Sequence, residues 1–391
     1  MIWAVCLLLT VAPDLSPYAS PPVSEEARII RITGNDRVTL GIDTQGSLAQ
    51  LRWPSRGFSD HLNYNFDASP AAAGGARWVF QDESGFYQFQ ADTWHVTHSV
   101  DSAGALVSHF EEREGDRSAV QRVYVASDRD VVVVELEFEG FSPTLRCFWN
   151  QRLSPSFLPV PGLPSAYVEF QRTQGFGTYY DLEDDMVVQF RPWDPGHEAW
   201  EHVRRLAREN TSSAAWSVFG NGAYWGIFSP HGTMRRYCGP PSTSIESLLK
   251  MGSDAQGNSV AGPGQVLIEP TPQGLSNNRR GAIVCIAVAP SNGRLRELRR
   301  TVREDALPTA AEFPRRIDPT HDESVRALLA CIDGPSGGVV RAPITYPPIA
   351  YARVFDSAWA SAALDDQGLS VLATRVLDFH LEGAGKNEPG Y

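Results

Sequence analysis

Histidines and cysteines are the residues of this chain that could hold a metal ion or act as nucleophiles. The chain has nine His and five Cys, and none are spaced as His-x3-His or Cys-x2-Cys, which bring two ligands to one ion. The sequence therefore predicts no metal site and no cofactor, and the Cys residues after Cys6 are interpreted as buried free thiols. Two histidines share a predicted strand and three lie in predicted loops: His95 and His98, then His197, His231 and His321.

Carboxylates could serve in pairs as general acid and base. Asp378, Glu382 and Glu388 lie close together near the last residue, but a terminal segment does not hold two groups at a fixed separation, so we assign them no catalytic role. Asp356 precedes an apolar helical pattern whose predicted face holds Trp359, Ala362 and Ala363. From the residues alone, Asp356 caps or opens that helix.

The composition narrows the class of ligand. A formal net charge of -12 and the lack of a Lys/Arg cluster predict no nucleic-acid partner. Ten Trp and twelve Tyr suit a neutral sugar, because aromatic faces stack on pyranose rings, although aromatic side chains also fill β-sandwich cores.

The first twelve residues form an apolar run that is too short to span a bilayer. The run resembles the apolar region of a secretory leader, yet it has no Lys or Arg ahead of it and no clear cleavage site. Residues 1–27 are interpreted as a leader and disordered segment. The chain is exported to the periplasm or the exterior if residues 1–20 act as a signal peptide, and is cytoplasmic otherwise; we predict no integral membrane span.

Short strands bounded by turn residues predict a large antiparallel sandwich over residues 28–290. The alternation of Val132, Val134, Leu136 and Phe138 marks one buried strand face. Residues 220–222 (Gly-Asn-Gly) predict a hairpin between strands 214–219 and 224–228. A helical insertion is predicted over residues 198–209. The other predicted strands are 29–32, 38–42, 48–53, 121–125, 131–138, 266–269 and 282–288.

After Pro290 the hydrophobic period becomes helical. Residues 291–319 are interpreted as a linker helix and a connection, with the helix over 294–304. Residues 320–391 then predict about three helices. The first follows a capping box of Thr320 and Glu323 and carries Val325, Leu328, Leu329 and Ile332 on one face.

The second of these helices ends at Gly368, and the third begins at Ser370. The third is apolar over a wide arc, which predicts neighbours on both flanks. We expect those neighbours to be missing or supplied by another chain.

Three segments carry a family resemblance when they are taken in order. The first is Gly34-Asn35-Asp36-Arg37, Gly41-Ile42-Asp43 and Gly46, followed by Leu51-Arg52-Trp53-Pro54, Gly57 and His61-Leu62. The second is Trp94 to His98 with the acidic and Tyr-rich strands after it. The third is Gly337-Gly338-Val339-Val340-Arg341-Ala342-Pro343 with Asp356-Ser357-Ala358-Trp359 through Ala363-Leu364. Together they resemble glycoside hydrolase family 15, the bacterial glucoamylase and glucodextranase group.

The resemblance implies an antiparallel supersandwich of the galactose mutarotase-like type, followed by an (α/α)6 barrel, a six-hairpin toroid of twelve helices. Helices average about 11–12 residues, so residues 320–391 have room for about three of them. We therefore expect a mainly β chain with an incomplete toroid.

The resemblance also implies the chemistry. The family inverts configuration with one carboxylic acid and one carboxylate roughly 6.5–9.5 Å apart. Both Glu residues come from later helices of the family, beyond the position of Tyr391, so no catalytic residue is assigned here. Asp356 matches the family's substrate-binding Asp, with Arg353 and Trp359 beside it. The family's Trp-x-Arg directly before that Asp is replaced by Val354-Phe355, which displaces Arg353.

The leading hypothesis is a glucoamylase-like protein of α-glucan hydrolysis that is inactive alone because the catalytic barrel is missing. Its expected ligand is an α-glucan or oligosaccharide. One alternative is a non-catalytic carbohydrate-binding or scaffold protein that pairs with a separate barrel chain. A second is a mutarotase-like sugar epimerase with His95 and Glu137 as its acid and base.

Overall fold

A computed structural model of the 391-residue chain contains two antiparallel sheets and three helices among the residues that it describes. These residues are 29–35, 37–53, 75–83, 85–101, 103–153, 177–192, 222–239, 245, 247, 260–261, 264–275, 279–304, 307–308, 328, 332 and 354–384.

The first sheet has eight strands, and each described pairing is antiparallel. They are β1 Ile29–Gly34, β2 Thr39–Asp43, β3 Leu48–Arg52, β4 Gly75–Asp82, β5 Gly85–Tyr87, β10 Arg146–Leu153, β14 Thr233–Gly239 and β16 Gly264–Pro270. Their order across the sheet is β1-β2-β3-β4-β10-β16-β14, with β5 beside β4.

The second sheet has ten strands: β6 Trp94–Val100, β7 Leu106–Glu112, β8 Ser118–Val125, β9 Val131–Glu139, β11 Gly177–Asp181, β12 Met186–Pro192, β13 Gly222–Phe228, β15 Val260–Ala261, β17 Gln273–Gly274 and β18 Arg280–Ala289. Their order is β15-β11-β12-β13-β18-β9-β8-β7-β6, with β17 beside β18. The mainly β, antiparallel sandwich predicted from the sequence is confirmed.

Alternate side chains of the two sheets form one large apolar core between them. The predicted inner face of β9 is confirmed, because Val132, Val134, Leu136 and Phe138 are all buried in this core. Each large apolar side chain that is fully buried contributes about 1.5–3 kcal/mol relative to exposure. The core thus joins the two sheets along their length.

The opposite face of β9 is also buried, because a helix covers it. This helix, α1, spans Asn292–Glu304 and confirms the helix predicted over 294–304. Its Leu295, Leu298 and Val302 belong to a second apolar cluster with Val131 and Val133. Strand β9 is therefore apolar at consecutive positions because both of its faces lie against protein.

A buried arginine fixes α1 on this sheet. The Arg299 side chain is fully buried, and its Nε donates a hydrogen bond of 3.0 Å to the carbonyl of Asp184. Its Nη2 lies 3.4 Å from the carbonyl oxygen of Ser229. The guanidinium also lies 4.1 Å from the ring centre of Phe228, within cation–π range. Arg299 thereby ties α1 to two turns of the second sheet.

Arg296, one turn earlier, adds an ionic tie to the turn between β11 and β12. Its guanidinium lies 2.8 Å from Asp181, 3.0 Å from Glu183 and 3.3 Å from Asp184. Asp181 is nearly buried, which strengthens its charge-assisted contact relative to an exposed pair.

Two further helices form an antiparallel hairpin: α2, Val354–Asp366, and α3, Ser370–Ala384. The turn has the Schellman pattern. Gly368 has a φ of 74°, its N–H donates to Asp365, and the N–H of Leu369 donates to Leu364 at 2.8 Å. The predicted helix end at Gly368 and helix start at Ser370 are confirmed.

The predicted apolar face of α2 is wrong. Its members, Trp359, Ala362 and Ala363, are exposed. The side turned to α3 instead holds Ser357, Ala360, Ser361 and Leu364. Small side chains there let the two helices approach closely, so size and not hydrophobicity alone selects the buried side.

Other predicted elements change or lie outside the described residues. The hairpin predicted across residues 220–222 is wrong. Strand β13 pairs with β12 on one side and with β18 on the other, so neither side is left for a strand over residues 214–219. Segments 198–209 and 214–219, and the capping box of Thr320 and Glu323, lie outside the described residues. Leu328 is helical as predicted, but Ile332 forms a β-bridge, so the predicted helix ends before it.

The predicted free thiols are buried at Cys147, Cys238 and Cys285. Burial raises the pKa of Cys285 to about 12, so this thiol stays protonated and unreactive at neutral pH. Among the described helices, none has the length and apolar character needed to cross a bilayer.

Replacing the buried Arg299 by Met should lower the free energy of unfolding by about 1–3 kcal/mol, because the carbonyls of Asp184 and Ser229 lose a buried donor. Arg300→Met is the matched control, since Arg300 is exposed on the same helix, and it should change stability by less than about 0.5 kcal/mol. Urea unfolding of both variants measures the difference. Equal midpoints would contradict the role of Arg299.

Candidate functional site

The sugar site implied by the resemblance lies at the start of α2. The helix begins at Val354, so Asp356 is inside the first turn: it opens the helix, as one of the two predicted readings had it, and is not the N-cap. An acidic residue in the first turn is favourable there, because it lies near the positive end of the helix dipole. Arg353 lies outside the described residues.

Trp359 is one turn further along α2, on the side away from α3. Its relative exposure is 67%. Residues three apart on a helix are surface neighbours, so positions 356 and 359 share one side of α2.

Polar contacts fix α2 against α3 and so fix the position of Trp359. The Ser361 hydroxyl donates to the carbonyl of Ala373 at 2.9 Å. Ser357 Oγ and His380 Nε2 lie 2.7 Å apart. Burial lowers the pKa of His380 below its ordinary value, which keeps this ring neutral at pH 7.

The proposed epimerase pair, His95 and Glu137, is not brought together. Both are exposed, but β6 and β9 are separated by β7 and β8. Three strand spacings amount to about 14 Å. Moreover, His95 is in register with Glu111 and Ser118, and hence with Glu139 rather than Glu137. The two residues therefore do not form an acid/base pair at one sugar.

The remaining described histidines have structural or surface positions. His98 lies 3.0 Å from the Ser108 hydroxyl and 3.2 Å from the carbonyl of Thr44. Burial lowers its pKa, so it acts as a neutral hydrogen-bonding group. His231 is exposed in the turn after β13. His197 and His321 lie outside the described residues.

An ionic cluster on the outer face of the second sheet was not foreseen from the sequence. Arg122 lies 2.6 Å from Asp101 and 2.9 Å from Glu135, and the Tyr124 hydroxyl donates to Glu135 at 3.0 Å. Arg122 lowers the pKa of Asp101 against the effect of burial. Both carboxylates are already paired, so this cluster stabilises the sheet and is a poor source of a general acid.

The first resembling segment has a structural role. Its Arg37 Nε and Trp53 Nε1 both donate to the carboxylate of Asp130, at 2.7 and 3.0 Å. Asn35 Nδ2 donates to the carbonyl of Ala126 at 3.0 Å. These contacts join the edge of the first sheet to the turn between β8 and β9 of the second. Asp130 was missed because it lies far from the other residues in the sequence.

Asp43 in the same segment closes the turn between β2 and β3. Its Oδ1 accepts hydrogen bonds of 2.9 Å from the N–H groups of Gln45 and Ser47. Gly46 has a φ of 74°, which favours glycine there. Burial raises the pKa of Asp43 to about 6 despite these hydrogen bonds. The described residues of this segment thus support the sandwich.

Within the described part of the chain, no group of three or more His, Cys, Asp and Glu residues is arranged to hold a metal ion.

The fold is similar to that of a bacterial glucoamylase solved in complex with acarbose. The TM-score is 0.61 at 11% sequence identity, and the match covers 92% of this chain and 51% of the glucoamylase chain. This chain therefore spans about half the length of that protein. The likeness is one of fold.

No protein-family model matches the sequence. No curated protein matches it either.

Replacing Asp43 by Asn tests the buried turn through its pH dependence. The pKa of Asp43 is raised by folding, so its contribution to stability is present below its unfolded pKa of about 3.9 and is lost as the pH rises through about 6. Asn keeps the acceptor oxygen and carries no charge. The variant should be more stable than the parent at pH 7.5, by about 1–3 kcal/mol, and should differ less at pH 4.

Urea unfolding at pH 4, 6 and 7.5 measures the free energy of unfolding of the parent and of Asp43→Asn. Asp128→Asn is the control, because Asp128 is exposed and its pKa is lowered by Arg129. A parent protein with a higher free energy of unfolding than Asp43→Asn at pH 7.5 would contradict the raised pKa of Asp43.

Proposed function

We propose that this chain is a glucoamylase-like glycoside hydrolase of starch-type α-glucans, and that its 391 residues alone do not hydrolyse them. The observation that carries the proposal is the shared fold with a bacterial glucoamylase over 92% of this chain. The sandwich and α1 lie within residues 1–304, and these residues make up less than 92% of the chain. The match therefore also includes residues after α1.

The surface of the α2–α3 hairpin supports a larger helical assembly. Val371, Leu377 and Leu381 are exposed on α3, at 81%, 43% and 69%. Exposed apolar side chains are expected of one hairpin in a toroid of several, where neighbouring hairpins cover them. This arrangement agrees with an incomplete toroid over residues 320–391.

We assign substrate binding to the first turns of α2. Asp356 would accept hydrogen bonds from sugar hydroxyl groups, and Trp359 would stack on a pyranose ring. Arg353, just before the helix, would add a donor. These roles come from the family resemblance, and the exposure of Trp359 is the structural observation that favours them.

Hydrolysis with inversion, which the resemblance implies, needs two carboxyl groups about 6.5–9.5 Å apart on either side of the scissile bond. In the family, both come from helices later than the segment that this chain resembles. Binding without turnover is therefore the expected behaviour of these 391 residues.

Incubation of the purified chain with maltose or soluble starch should release no glucose above the buffer blank. Calorimetric titration with acarbose or maltotetraose should nevertheless detect binding, with a Kd of about 1 mM or below, equivalent to 4.1 kcal/mol or more. Glucose release at an ordinary enzymatic rate would overturn the claim of inactivity. Absence of binding to both ligands would overturn the assigned sugar site.

Trp359→Ala should weaken the binding of maltotetraose by about tenfold, because an exposed Trp that stacks on a ligand commonly contributes more than about 1 kcal/mol. Val371→Ala is the matched control, since Val371 is an exposed apolar residue on the other helix of the hairpin. Titration of both variants, with circular dichroism to verify folding, measures the difference. Equal affinities would exclude Trp359 from the sugar site.

A second candidate is a non-catalytic scaffold that pairs with a separate barrel chain, because the exposed flanks of the hairpin suit a helical partner equally well. The DNA that follows the codon of Tyr391 separates the two. A continuing or frameshifted barrel sequence supports the first candidate, and an adjacent, independently started barrel gene supports the second.

A further inference from the structure

Strand β6, Trp94–Val100, ends the second sheet on one side. It pairs with β7 over seven consecutive residues in regular antiparallel register. Within the described residues no strand pairs with its other side. A regular strand with one open side is a template for pairing with another chain.

The hydrogen bonds at the two ends of the β6–β7 pair define which backbone groups face this open side. Asp101 N–H donates to the carbonyl of Ala105 at one end, and Arg113 N–H donates to the carbonyl of Thr93 at the other, both at 3.0 Å. In antiparallel pairs, bonded and non-bonded residues alternate. Odd-numbered residues of β6 therefore bond to β7, and the N–H and C=O groups of Val96, His98 and Val100 point outward.

The other described sheet edges carry features that hinder such pairing. Strand β15 has two residues. Strands β1 and β14 each have an irregular register and carry arginines, Arg31 on β1 and Arg235 and Arg236 on β14. Bulges, short length and charge are the usual protections of an edge. The sequence of β6, WHVTHSV, has no Asp, Glu, Lys, Arg, Pro or Gly, and its register has no bulge.

We propose that β6 pairs with β6 of a second copy of this chain, around a two-fold axis at Thr97. An antiparallel pair centred there makes Val96 and His98 the hydrogen-bonded partners, which agrees with their outward backbone groups. Thr97 then faces Thr97 of the second copy across a non-bonded position, where side chains approach most closely.

The side chains are self-complementary in this register. On the inner face, Trp94 lies opposite Val100, and Val96 lies opposite His98, whose ring is already hydrogen-bonded within its own copy. On the outer face, His95 lies opposite Ser99, and Thr97 opposite Thr97. Cross-strand Thr pairs are favourable, and no like charges meet. The contact is isologous and closes as a dimer. It is independent of the proposed sugar site, which lies in α2.

Sedimentation equilibrium, or light scattering after gel filtration, at about 50 μM protein tests the proposal, because that concentration populates dimers of micromolar Kd. The parent chain should have twice the 43.0 kDa mass of one copy. Thr97→Lys brings two ammonium groups together at the axis and should raise the dimer Kd more than about tenfold. His109→Lys is the control, because His109 is exposed directly opposite Thr97, on β7, which is flanked by strands on both sides.

Charge complementation separates a specific contact from misfolding. Thr97→Lys and Thr97→Glu should each be monomeric and folded, and an equimolar mixture should recover the dimer mass. In the parent dimer, the amide protons of Val96, His98 and Val100 should exchange more slowly than in Thr97→Lys. A monomeric parent chain, a dimer that survives Thr97→Lys, or a failure of the mixture to recover the dimer would each overturn the proposal.

Discussion

Double-sided burial of the middle of the second sheet is the constraint on which the remaining structure depends. Strand β9 contributes Val132 and Val134 to the core between the sheets, and Val131 and Val133 to the cluster beneath α1. The α1 face is apolar except for Arg299, whose charge is directed to backbone carbonyls. The helix therefore does not merely follow the sandwich in the chain; it completes one of its layers.

The same constraint separates structural from functional residues. On the described strands of the second sheet, Arg122 is paired with Asp101 and Glu135, and His98 is held neutral by burial. Groups in such positions stabilise the fold and are poor catalysts. The proposed sugar site is instead on α2, where the Trp359 side chain is exposed.

Local patterns in the sequence were sufficient for elements and turns. The alternation in β9 predicted its inner face, and the glycines at 46 and 368 marked turns that do have positive φ, because these signals act within a few residues. Strand order is set by contacts between distant segments, which no local period encodes. For that reason the separation of His95 from Glu137 could not be foreseen, and neither could the role of Asp130. The buried side of α2 was missed because the prediction placed the large Trp359 inside, whereas packing against α3 selected Ala360 and Ser361.

The attachment of α1 also bears on where the chain should be cut to prepare the sandwich for crystallisation or spectroscopy. A fragment ending at Pro290 would expose Cys285 and Ala287 of β18 together with Phe228, all of which lie in the cluster beneath α1. Such a fragment would expose a contiguous apolar surface to water and would be expected to aggregate. A fragment extended through Glu304 would retain its natural cover.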